Sequence, residues 1–213
     1  MVNSIKKVIE MIDTLKLRKT LGWLGMLLPW IVAILYSIEL KFFPQSISAT
    51  YFADTCITPF MIILGAAGLL LLTYNGYDKQ DRIVCSIAGA MALMVCLFPC
   101  SATDAANVGT FMLPTNISGW IHNISAVIFF ALLAYNSFFL FTKGVGKLTP
   151  NKKKRNIIFR VCGIGMLASF VLLIPFLLLD VRVGMWIVEA IALIFFGISW
   201  LTKSQCYSWL FKD

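Results

Sequence analysis

One histidine stands in the whole chain, and it opens an almost pure hydrocarbon run, "GWIHNISAVIFFALLAY" at 119–135. An imidazole there can act as a general base, a hydrogen-bond donor, a metal ligand or a satisfied structural group. The oxygen-bearing groups able to join it are scattered. Ser48, Tyr51 and Asp54 lie in "SISATYFAD" (46–54), Asp104 in "SATDAAN" (101–107), and Glu189 follows "GMWIV" (184–188). A catalytic zinc usually takes three protein ligands, often histidines. A single His122 with dispersed acids does not supply them. The six cysteines, Cys56, Cys85, Cys96, Cys100, Cys162 and Cys206, form no CxxC or Cys/His cluster. No metal and no cofactor is expected.

Two chemistries remain for these residues. In the first, Ser48, Tyr51, Asp54, Asp104, His122 and Glu189 line a polar pocket that binds a ligand. In the second, Ser48 is a nucleophile, His122 its base, and Asp104 or Asp54 orients the imidazole. No nucleophile-elbow motif accompanies Ser48. Plainer roles exist for several of them. Asp54 suits the cap of a helix, Asp104 a solvated loop, and Asp180 with Arg182 an ion pair across a turn. Thr58 and Pro59 read as an N-cap and first helical position, or as a kink. Glu189 is harder to dismiss, because a carboxylate inside an apolar segment needs a partner, a proton or water. Arg182 and His122 are its expected partners, and Asp104 or Glu189 the expected acid for His122.

The elements that must position these groups are membrane spans. Sixty per cent of the 213 residues are hydrophobic and 13% are charged, with a mean hydropathy of +0.87. So short a soluble chain could not bury that much apolar surface. About 20 apolar residues cross the hydrocarbon core as a helix. Six runs qualify: 21–40, 57–76, 83–99, 119–141, 158–179 and 183–201. The expected fold is an all-α integral membrane bundle of six transmembrane helices, followed by a cytoplasmic tail at 202–213. The last two spans are joined by a tight turn at 180–182.

The net charge of +8 points to membrane orientation and anionic lipid, not to nucleic acid. Sixteen basic residues fall on one side of the bundle and only Lys41 and Arg182 on the other. Both termini are therefore expected in the cytoplasm. The run "TPNKKKRN" (149–156) fits a lipid-facing inner loop. In residues 1–20, Val2, Ile5, Val8, Ile9, Ile12 and Leu15 recur at helical spacing between charges. They predict an amphipathic helix on the inner leaflet and no cleaved leader. Small residues in "GAAG" (65–68), "AGAMA" (88–92) and "GIGMLAS" (163–169) predict mutual contact of spans two, three and five. Pro29, Pro99 and Pro175 should bend or end their spans. Cys56 and Cys100 fall near one face, which leaves a disulfide open. "LTYNGYDKQDRIVCSIAG" (72–89) is echoed by "LAYNSFFLFTK" (133–143) and "RVCGIGM" (160–166), through an old duplication or through convergence.

"SISATYFAD", "LLLTYNGYDKQDRIVCSIAGAMALMVCLFPCSATD", "IHNISAVIFFALLAYNSFFLFTK" and "FFGISWLTK" together resemble a family of bacterial multispan membrane proteins that is known as a domain of unknown function. The resemblance covers most of residues 45–203. It departs at Ala49-Thr50-Tyr51, where an aromatic directly after the alanine is the pattern. It implies a compact bundle of about six helices, a bacterial inner membrane, and a recurring set in Ser46, Ser48, Tyr51, Tyr77, Asp78, Asp81 and His122. It implies no activity.

Three functions fit these residues. The leading one is binding of a lipid headgroup or small polar molecule in an outward-facing pocket. The others are an intramembrane lipid hydrolase or transferase using His122 with a carboxylate, and a small oligomeric transporter or channel subunit. Homo-oligomerisation is left open. The topology has a direct test. A membrane-impermeant maleimide should label Cys206 only from the cytoplasmic side of oriented vesicles, and labelling from outside would overturn it.

Overall fold

The computed structural model describes residues 2–102, 104–144 and 149–207, with the backbone alone for 2–12. Its helices are α1 Val2–Leu40, α2 Asp54–Leu72, α3 Lys79–Leu97, α4 Thr115–Tyr135, α5 Pro150–Val171, α6 Leu173–Leu178 and α7 Gly184–Lys203. A wider π turn, Asn136–Leu140, extends α4, and a two-residue antiparallel pair, Asn107–Val108 with Leu113–Pro114, sits before it. Six helical segments are long and apolar enough to cross a membrane: Asp13–Leu40, Asp54–Leu72, Lys79–Leu97, Thr115–Leu140, Pro150–Leu178 and Gly184–Lys203. The chain is an all-α multi-pass membrane protein.

The helix starts differ from the apolar runs because polar residues initiate them. Glu39, at the end of α1, accepts the backbone N–H groups of Asp54 (3.1 Å) and Thr55 (2.9 Å) and so caps α2 from outside. Asp54 is thus the first residue of α2, with Ala53 in the cap position. Pro59 lies inside α2, so Thr58 is no N-cap. Asp78 caps α3 by accepting Asp81 N–H at 2.9 Å, and Thr149 caps α5 ahead of Pro150. Hydropathy does not register such groups, though they satisfy the N–H donors that a helix start leaves orphaned.

Helix α1 runs unbroken through residue 20 and on into the first span. The side chains of its amphipathic pattern up to residue 12, including Lys6, Lys7 and Glu10, lie outside the described residues, as do Lys147 and the tail from 208 with Lys212. Spans two, three and five do not meet together. Helices α2 and α3 pair, while α5 packs on α4 and α7. Gly163 faces the Ala134 carbonyl and Phe138 of α4 and its π turn, and Gly165 faces Phe195 of α7. Lys203, in the segment read as a tail, is the last residue of α7. It is buried, with its ammonium over the rings of Tyr77 (4.6 Å) and Phe141 (4.8 Å).

Lys203 belongs to a clasp at the basic end of the bundle. Arg18 donates to the Tyr74 hydroxyl at 3.1 Å, and Tyr74 packs edge-on against Trp200. Burial pushes the Tyr74 phenol up to about 12, so it stays protonated as an acceptor for Arg18. Lys143 bridges Asp78 (2.7 Å) and the buried Asp81 (3.1 Å). Its hydrogen bond holds the Asp78 carboxyl below the usual range. Asp81 also accepts Tyr77 N–H at 2.9 Å. "YNGYDKQD" is thus a fastening that ties α1, α3, α7 and the end of α4.

Close backbone approach sets the α2–α3 crossing. A Cβ on Gly89 would lie 2.5 Å from the Gly68 carbonyl oxygen and 2.8 Å from Leu72 N, and backbone atoms cannot give way. Gly65, one turn away, has open space. Gly89→Val should destabilise by about 1–3 kcal/mol, the usual cost of overpacking, and Gly65→Val should not. Thermal unfolding in detergent checks this, and equal melting temperatures for the two variants would refute it.

Candidate functional site

The segment 45–53 leaves α1 and turns back into the bundle. Ser46 Oγ accepts Ala49 N–H at 2.9 Å ahead of a 3-10 turn, Ser48–Phe52, and Thr50 Oγ1 donates to the Ile47 carbonyl at 2.6 Å. Ile47, Thr50, Tyr51 and Ala53 are buried. Irregular backbone among apolar helices needs internal partners for its polar groups. Glu189 supplies one. It projects from α7 and accepts Ile47 N–H through Oε2 at 2.6 Å, while Ser48 Oγ donates toward Oε1 at 3.3 Å. One helical turn earlier, Trp186 N–H donates to the Gln45 carbonyl at 3.0 Å.

His122 reaches Ser48 from α4. Helix α3 ends before Pro99 and leaves the carbonyls of Phe98 and Pro99 without helical donors. Ser118 Oγ donates to the Pro99 carbonyl at 2.7 Å, and four residues on, His122 Nδ1 meets the Phe98 carbonyl at 2.8 Å. A carbonyl only accepts, so Nδ1 carries a proton and Nε2 faces Ser48 Oγ at 3.0 Å. The result is a chain: Phe98 carbonyl, His122, Ser48, Glu189, Ile47 N–H. Its middle hydroxyl has a single hydrogen and two neighbours that both call for one. The chain is fully satisfied when Glu189 and His122 share one extra proton, held on either side of Ser48.

These groups form one wall of a cavity of about 830 Å³ between α4, the α5–α6 segment and the start of α7. The facing walls are apolar: Val127, Phe130, Phe170, Leu173, Phe176 and Leu177. At the mouth stand Asp180 and Arg182. Val127 and Leu177 are 66% and 69% exposed, so the cavity opens sideways between α4 and α6 as well as at its end. A smaller space of about 40 Å³ lies behind Ser48 and Glu189, walled by Leu28, Phe60, Leu64, Val95 and Leu193. It is large enough for water.

Of the six residues expected to line a pocket, Ser48, His122 and Glu189 converge. The other three do not join them. Asp54 and Asp104 are exposed and line neither space, and Tyr51 is buried against Phe60. The expected triad is absent, since neither Asp54 nor Asp104 backs His122. The acid instead contacts the serine, and a backbone carbonyl orients the imidazole. Nor do Arg182 and His122 bond Glu189 directly; the Ile47 amide and Ser48 hydroxyl do. Asp180 and Arg182 form no ion pair among the described residues, and Arg182 lies over the Phe42 ring at 4.7 Å. Cys56 and Cys100 are free thiols.

Sequence reasoning missed Cys100 as a lining residue and Glu39 as a cap. "FPC" at 98–100 carries a usable signal, because a proline ending a span frees carbonyls for neighbours. Burial, followed by the nearby Glu189 charge, pushes the Cys100 thiol up to about 12. It therefore stays a protonated, unreactive lining group at neutral pH. Among the described residues no cluster suits a metal ion. No family model, no curated protein and no solved structure matches the chain.

Glu189→Ala orphans the buried Ile47 N–H and should lower stability by about 1–3 kcal/mol. Glu189→Gln keeps an acceptor and should cost less. Thermal unfolding of both variants measures this. A wild-type melting temperature for the alanine variant would show that the carboxylate does not hold the turn.

Proposed function

We propose that this protein binds an amphipathic lipid in an outward-facing cavity. The carrying observation is the division of one space of about 830 Å³ into a polar wall of Ser48, His122 and Glu189 and apolar walls from α4, α5 and α6. That division suits a molecule with a polar head and a hydrocarbon tail. The lateral opening suits entry from the bilayer. The basic end, with its lysine-rich 149–156 run, is the cytoplasmic end on charge grounds, which turns the cavity outward. Both termini are then cytoplasmic, the first twenty residues meet the inner leaflet, and the basic loops meet anionic lipid. A bacterial inner membrane is the proposed location.

A second reading is favoured by one distance. Ser48 Oγ and His122 Nε2 stand at nucleophile–base separation, 3.0 Å. A carboxylate beside the serine oxygen opposes it, since negative charge there disfavours the oxyanion that forms on attack. Binding therefore leads over lipid hydrolysis. A transporter is less suited, because the space behind Glu189 is small and apolar.

A photoactivatable, diazirine-tailed phospholipid should crosslink to peptides spanning 123–130 and 170–177. Ala126→Trp, which fills the cavity, should reduce those adducts at least 5-fold and leave adducts on α1 unchanged. Unaltered adducts would reject the binding site. Ester turnover by the wild type that Ser48→Ala abolishes would install the hydrolase reading instead.

A further inference from the structure

The mouth of the cavity carries two opposite charges that do not use each other. Asp180 and Arg182 are two residues apart, exposed, and both line the cavity. Neither has an ion-pair partner among the described residues. The turn that presents them is well made. Asp180 N–H donates to the Leu177 carbonyl at 3.3 Å, Val181 N–H to Phe176 at 2.9 Å, and Gly184 N–H to Val181 at 2.8 Å. Asp180 adopts a left-handed backbone, φ 50°, which aspartate tolerates better than most residues. The Arg182 guanidinium is set over Phe42, with no ion pair among the described residues.

We infer that the cavity selects a zwitterionic phospholipid of the phosphatidylethanolamine type, its phosphate at Arg182 and its ammonium at Asp180. This rests on the lipid-binding reading and names the headgroup. Charge complementarity is the argument. Guanidinium suits phosphate because its planar N–H fork matches the oxygens. The carboxylate of Asp180 offers acceptors to an ammonium. Ser48 and His122 line the same cavity and offer hydrogen-bonding groups to glycerol and ester oxygens, and Val127, Phe130 and Phe170 offer apolar surface to a tail. An anionic phospholipid satisfies Arg182 and meets repulsion at Asp180. A neutral diacylglycerol leaves both mouth charges unused.

The test uses full-length protein in nanodiscs and three diazirine-tailed probes: phosphatidylethanolamine, phosphatidylglycerol and diacylglycerol. The wild type should give at least 5-fold more cavity adduct with the first than with either other. Arg182→Gln should reduce the adducts of both phospholipids toward the diacylglycerol level. Asp180→Asn, which tolerates the left-handed backbone, should erase the preference for phosphatidylethanolamine over phosphatidylglycerol and retain phospholipid over diacylglycerol. Equal cavity adducts from all three probes, or preferences unchanged in both variants, overturn the headgroup assignment and leave lipid binding standing. No cavity adduct from any probe overturns lipid binding itself.

Discussion

The site depends on the tie between Glu189 and the Ile47 amide. A turn that re-enters a helical bundle carries backbone donors into apolar surroundings, where each needs a partner. Glu189 accepts one at 2.6 Å and takes the Ser48 hydroxyl on its other oxygen. The turn is thereby pinned to α7, Ser48 is held against His122, and the floor of the cavity is formed. Removing the acid would leave the Ile47 amide without its partner and Ser48 with His122 alone. One carboxylate thus shapes both the turn and the polar wall of the cavity.

The opposite end shows the same rule with different groups. Lys203 lies in an aromatic box, Arg18 reaches Tyr74, and Lys143 spans Asp78 and Asp81. These contacts close the bundle where several chain segments meet. The two ends then divide the work: one fastens the helices, and the other leaves α4 and α6 apart. That separation makes room for the cavity and its apolar walls.

The enzyme-like geometry near Ser48 shows how little a single distance decides. Ser48 and His122 have the separation of a nucleophile and its base. The order of the chain differs from a hydrolytic triad, because the acid meets the serine and a carbonyl meets the imidazole. The carboxylate occupies the donors that an oxyanion would need. The same three residue types therefore serve better as a hydrogen-bonding wall.

By itself the sequence determined the class and the number of spans, because apolar length and charge asymmetry are properties of local segments. It marked Ser48, His122 and Glu189, since polar groups in hydrocarbon are rare enough to stand out. It misjudged helix starts at Glu39 and Asp78, where the polar residue that caps lies outside the apolar run. Only the tertiary structure decided that Asp54, Tyr51 and Asp104 stand apart from the cavity, that α5 packs on α4 and α7, and that Phe98 turns its carbonyl to His122. Those outcomes depend on which helices cross and where a chain re-enters. They are set by contacts between residues far apart in sequence, which no local pattern encodes.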